Sequence, residues 1–156
     1  MKNGEIFRLA QGIAKVGHLK GIKFAYGISK NKKIVDSEIE SVKESVAQSE
    51  TFTEFEAKRI ELCKEYAEKD EKGEFKVESN EYVLPAEKKE EFEIRLNALR
   101  EQNKEAIDER EKQLIDYKEF IDQESTIEFY KIKLSSVPED ISAEELEGIS
   151  ELITED

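Results

Sequence analysis

Two long, charge-saturated amphipathic stretches, about residues 20–70 and 85–123, flank a short β-like segment over 74–84, and this arrangement restricts what the chain can become. The spacing predicts a mainly α fold built on a long antiparallel helical hairpin, coiled-coil-like, with a small β-hairpin at its tip. One additional strand over 126–134 and a short terminal helix over 142–154 complete the reading, and a first helix over 1–18 precedes it. The organisation is that of a single elongated domain, 1–156. With 40% charged and 37% hydrophobic residues, the chain has too little apolar material for a thick globular core, and an elongated shape needs less.

Asn3 stands as an N-cap before Ile6, Phe7, Leu9, Ala10, Ile13, Ala14 and Val16, which recur at helical spacing and end near Gly17 or His18. In the second stretch Ala25, Ile28, Val35, Ile39, Val42 and Val46 form a seam of threes and fours, interrupted at one core position by Lys32. The seam falters between Gln48 and Thr53. Either the helix breaks there, with Thr53 and Glu56 as a capping box, or one continuous helix carries a drifting stripe. Beyond it Phe55, Ile60, Leu62, Cys63, Tyr66 and Ala67 continue the apolar face to a turn at Asp70 to Gly73.

Phe75, Val77, Tyr82 and Leu84 alternate around Glu78, Ser79, Asn80 and Glu81, the pattern of a small hairpin. Pro85 suits the first turn of the following helix, whose stripe runs through Phe92, Leu96, Leu99, Ala106, Ile107, Leu114, Tyr117 and Ile121 over roughly 55 Å. Glu91 with Arg95 has the spacing of a surface ion pair. The run Thr126 to Leu134 reads as a half-buried strand in need of a partner: another copy, a fold-back through the break near Ser49, or a binding target. Self-pairing or fold-back is favoured, because an exposed edge invites aggregation. Ser142 and Glu145 form a capping box before Leu146, Ile149, Leu152 and Ile153.

Net charge of −13 argues against general affinity for nucleic acid or anionic membrane, since phosphate contact needs a cationic surface. The charge is nevertheless graded. Up to Lys33 the bases Lys2, Arg8, Lys15, Lys20, Lys23, Lys30, Lys32 and Lys33 face only Glu5, whereas no base follows Leu134. The ends either neutralise each other in the fold or serve as interaction tails. A single Cys63, no signal-peptide pattern and no bilayer-length apolar run lead to the expectation of a soluble, cytoplasmic protein without membrane contact.

No sequence constellation announces catalysis. His18, the single histidine, suits a helix C-terminus, and Cys63 suits a buried thiol. Neither a GK[ST] nor a GxGxxG arrangement occurs, and Lys72 falls where a calcium loop needs an oxygen ligand. No enzyme activity, cofactor or metal is expected.

Lys2-Asn3-Gly4-Glu5-Ile6-Phe7, the segment Lys23 to Asn31, the turn Glu68 to Glu74 and the ending Ile141 to Ile149 resemble a family of uncharacterised proteins from phages and prophages of Gram-positive bacteria. In order, the likeness spans most of the chain, although 34–53 is longer here than in the family pattern. The resemblance implies a phage genome as origin and the bacterial cytoplasm as location; the family supplies no activity to carry over.

The expected function is therefore a non-enzymatic protein-binding module that inhibits or modulates a host protein, such as a component of antiviral defence. One alternative is a self-assembling structural or assembly-accessory phage protein, a homo-oligomer paired through Thr126 to Leu134. Another is a holdase chaperone on the plan of a prefoldin subunit. Candidate contacts are the basic arm, Lys20, Lys23, Tyr26 and Lys30, and the hairpin tip, Phe75, Val77, Tyr82 and Leu84. Either set could instead pack within the fold.

Overall fold

The computed structural model describes residues 1–155 and is mainly helical, with six α-helices and two two-stranded sheets among the described residues. The helices are α1 (Ile6–Val16), α2 (Ile22–Ser45), α3 (Glu50–Tyr66), α4 (Lys89–Gln102), α5 (Lys104–Asp122) and α6 (Ala143–Gly148). The strands are β1 (Val77–Glu78), β2 (Glu81–Tyr82), β3 (Ile132–Lys133) and β4 (Ile153–Thr154). By their contacts the residues form two compact units, 1–47 with 115–155, and 48–114.

In the first unit one face of α1 buries Ile6, Leu9, Ile13 and Val16 against Leu19, Phe24, Ile28, Val35, Ile132, Ile149 and Leu152. Fully burying such side chains contributes about 1.5–3 kcal/mol each before the cost of ordering the chain. α1 meets α6 at two glycines. A Cβ on Gly12 would stand 2.0 Å from the Gly148 carbonyl oxygen, so this approach of two helix backbones excludes any side chain. The N-terminus closes the end of α5. Asn3 N–H donates to the Gln123 carbonyl (2.9 Å), Asn3 Nδ2 to the Phe120 carbonyl (3.0 Å), and Lys2 pairs with Asp122 (3.4 Å). Thus Asn3, expected as an N-cap, instead adds a second donor at the Phe120 carbonyl, which also accepts from the Gln123 N–H (3.2 Å) at the end of α5.

The seam of α2 keeps the expected Ile28, Val35 and Val42 but is completed by other residues than spacing placed there. Phe24, Gly27, Ile28, Asn31, Val35 and Val42 are buried, while Ala25 is exposed. Lys32, expected at a core position, is exposed and pairs with Asp36; the polar residue in the core is Asn31. This exchange follows from cost, since an amide with two partners can be buried where an ammonium with none cannot.

The strand over 126–134 is confined to β3, which pairs in parallel with β4, Ile132 opposite Ile153 and Lys133 opposite Thr154. Within the chain its partner is the C-terminal segment, not a fold-back through the break near Ser49. The expected helix over 142–154 is correspondingly shorter. Ser142 and Glu145 do form the capping box, but α6 ends at Gly148, Ser150–Leu152 make a 3-10 turn, and the β-branched Ile153 and Thr154 extend.

In the second unit α3 and α4 pack side by side, with Leu62, Tyr66, Phe92 and Leu96 buried between them and Cys63 and Leu84 at the margin. The stretch 20–70 is broken rather than continuous, and its new start is Ser49, whose hydroxyl accepts from Phe52 N–H (3.2 Å), not Thr53. The stretch 85–123 breaks at Asn103, between α4 and α5, with Asn103 Nδ2 donating to the Leu99 carbonyl (2.8 Å). Glu91 and Arg95 do not pair along α4. Both reach α3: Arg95 bonds Glu65 and donates to the Tyr66 hydroxyl (3.1 Å), which in turn donates to Glu91 (2.7 Å). The guanidinium pulls the Tyr66 phenol down, but Glu91 and partial burial outweigh it and leave the phenol raised.

Candidate functional site

The basic arm begins at Gly21, whose φ of 125° is a turn that residues with a Cβ rarely adopt, and continues along the outer face of α2. At about 100° per residue, Ile22, Tyr26, Lys30 and Lys33 lie in one stripe, with Lys23 at its edge, opposite the buried line of Phe24, Ile28, Asn31 and Val35. Lys20, Lys23, Lys30 and Lys33 are exposed, and none forms an ion pair with a carboxylate among the described residues. Ile22 is 91% exposed and Tyr26 54%.

A residue from the far end of the sequence completes this surface. Tyr130 meets Tyr26 edge to face, ring centres 5.8 Å apart at 88°, and the Lys30 ammonium stands 5.2 Å from the Tyr26 ring and 5.0 Å from that of Tyr130. Cation–π contacts of this kind contribute about 0.5–1 kcal/mol at exposed sites and fix the lysine over the rings. Tyr130 is held from below. Asn31, fully buried, donates from Nδ2 to the Tyr130 carbonyl (2.8 Å) and accepts at Oδ1 from the Tyr130 N–H (2.8 Å), as a neighbouring strand would. Gly27, one turn earlier, leaves room for Ile132, whose Cγ1 would be 2.5 Å from any Cβ there.

Of the expected arm, Lys23, Tyr26 and Lys30 therefore share one face, and Lys20 precedes the helix. Sequence reasoning missed Ile22, Lys33, Asn31 and Tyr130. The three-and-four spacing of Ile28, Asn31 and Val35 marks Asn31 as a core position, whereas no local signal joins Tyr130 to Tyr26. The acidic end also meets the basic one at a different place: Lys15 pairs with Glu144 (2.6 Å), and His18 Nε2 lies 3.8 Å from Glu145. The hydrogen bond to Glu144 raises the Lys15 ammonium and lowers the Glu144 carboxyl. Backbone and hydroxyl bonds from Ser142 hold Glu145 low.

The β-hairpin belongs to the second unit. Ser79 and Asn80 take positive φ (49° and 70°), the turn that suits tight β-hairpins, and Val77 stands opposite Tyr82. Phe75 and Tyr82 meet edge to face at 5.7 Å, with Lys69 5.0 Å from the Phe75 ring. Leu84 packs at the α3 and α4 core, Tyr82 is half-buried, and Phe75 and Val77 are exposed. The four residues thus divide between support and surface.

Elsewhere in this unit an open groove of about 410 Å³ between α3 and α4 is lined by Lys58, Glu61, Leu62, Glu65, Arg95 and Gln102, among others. Among the described residues, no group of three or more His, Cys, Asp or Glu is placed to hold a metal ion, and no helix is long and apolar enough to cross a membrane. Comparison with known proteins yields no relative: no family model matches the chain, and neither a curated protein nor a solved structure does.

Proposed function

We propose that this chain is a non-enzymatic protein-binding module of phage or prophage origin, acting in the bacterial cytoplasm on a host protein such as a component of antiviral defence. The observation that carries the reading is the outer face of α2. Three large side chains, Ile22, Tyr26 and Tyr130, stay at the surface while a fully buried amide, Asn31, holds the backbone of one of them in place. Grouped exposed apolar side chains rimmed by charge are a common mark of an interaction site, and a preformed surface lowers the ordering cost of binding. The resemblance to phage proteins supports the origin and the choice of a host target.

A second reading rests on the hairpin. If α3 and α4 act as a coiled-coil-like antiparallel pair presenting β1 and β2 at their end, exposed Val77 and Phe75 would suit a holdase that engages unfolded chains. Self-assembly through Thr126 to Leu134 draws less support, because Ile132 and Lys133 already pair with Ile153 and Thr154.

The test of the module is capture of partners from host lysate by the intact tagged protein. One dominant protein recovered in proportion to the bait is the expected result. Recovery of no specific protein contradicts the module.

A further inference from the structure

We propose that the stripe Ile22, Lys23, Tyr26, Lys30 and Lys33 on α2, together with Tyr130, is a docking surface for a short acidic protein segment that carries an apolar side chain. This deepens the protein-binding reading and rests on it.

Charge selects the sign of the occupant. In a chain of net charge −13, the stripe gathers three lysines that no carboxylate among the described residues neutralises by an ion pair. Lys32, which faces away from the stripe, is by contrast paired with Asp36. Unpaired like charges along about 16 Å of helix repel one another, and an acidic partner relieves that repulsion while steering encounter.

Shape and chemistry select a protein over a nucleic acid. Ile22, the most exposed large apolar side chain of the first unit, has no ring face on which a base could stack; it gains only from covering by another apolar group. The two tyrosines stand perpendicular with Lys30 over both, so they form a single notch rather than successive parallel platforms. Beside the notch the sequence places Glu128 two residues from Tyr130, and Lys131 Nζ is bonded to the Glu151 carbonyl (2.6 Å). An apolar side chain seated between Ile22 and Tyr26, with carboxylates towards Lys23, Lys30 and Lys33, satisfies every exposed group of the stripe.

The experiment is amide-shift mapping by NMR on the full chain, titrated with an acidic peptide of Glu residues around a single Phe. A matched peptide with Gln for Glu and a single-stranded oligothymidylate are titrated in parallel. The expected result is saturable shifts confined to α2 and residues 128–132, weakened at least tenfold by Tyr26→Ala with Lys30→Glu and by added salt. Equal binding of the Gln peptide, preferred binding of the oligothymidylate, shifts elsewhere or no shifts overturn the proposal. Because Tyr26 and Lys30 touch Tyr130, the paired variant loses those ring contacts and its fold is checked by its unfolding midpoint; Lys23→Glu with Lys33→Glu, at exposed positions, repeats the comparison with the same expected weakening. A host protein captured equally by the parent chain and the variant overturns this surface while leaving the module intact, whereas capture of nothing by the parent chain removes both.

Discussion

Asn31 decides more at the residue scale than any charged group in the chain. A side-chain amide that supplies both a donor and an acceptor to the Tyr130 backbone replaces two ladder hydrogen bonds of a missing strand. Replacing it with leucine leaves a partly buried N–H and C=O without partners, each costing about 1–3 kcal/mol when desolvated. Asn31→Leu is therefore expected to lower stability by about 2 kcal/mol or more in urea unfolding, and to accelerate hydrogen exchange at the Tyr130 amide. An unchanged midpoint and unchanged exchange would show that the clamp holds nothing. The residue was legible in part: its place between Ile28 and Val35 marks it as inward-facing, but seam-spotting gave the polar position to Lys32 because the register was taken from Ala25. Phe24 fixes the true register by being core.

Among the elements, those with strong periodicity or a chemical cap were readable. α1 follows its apolar spacing, and α6 starts at the capping box of Ser142 and Glu145. The ends of elements were not, because competing local bonds decide them: Ser49 outbids Thr53 as a cap, and Asn103 turns back onto the Leu99 carbonyl. The pairing of β3 with β4 was hidden because both strands are two residues long and join residues far apart in sequence, which no local pattern encodes. The docking of α6 on α1 also carries a pH dependence. Glu144 is held low by its bond from Lys15, and Glu145 by Ser142. A carboxyl lowered in the folded state stabilises above its ordinary range, and the stabilisation is lost as pH falls through the lowered value. Exposure screens the effect. Exchange protection of the Ile149 amide is expected to be flat near neutrality and to fall below the ordinary carboxylate range, with a shallower fall in Glu144→Gln. Protection that instead rises on acidification would reverse the sign of this account.

At the scale of the whole molecule, composition pointed to surfaces rather than to chemistry. With 38 acidic against 25 basic residues, most of the charge is solvated, and the informative departure is the lysine stripe of α2 that keeps its apolar neighbours in the open. Half of the basic-arm expectation was visible as the alternation of Lys23, Tyr26 and Lys30; the other half, Tyr130, required the chain to return to α2 after more than ninety residues, and Asn31 to receive it. The hairpin tip was legible as a turn and as alternation, while its division into supporting Leu84 and exposed Val77 depends on packing against α3 and α4. The central claim, that the chain works by holding a different protein, is tested most directly by the absolute mass of the complex eluted after capture from host lysate. The account predicts one chain species joined to a second, different polypeptide in fixed ratio. Elution of this chain alone, at any multiple of its own mass, would contradict it.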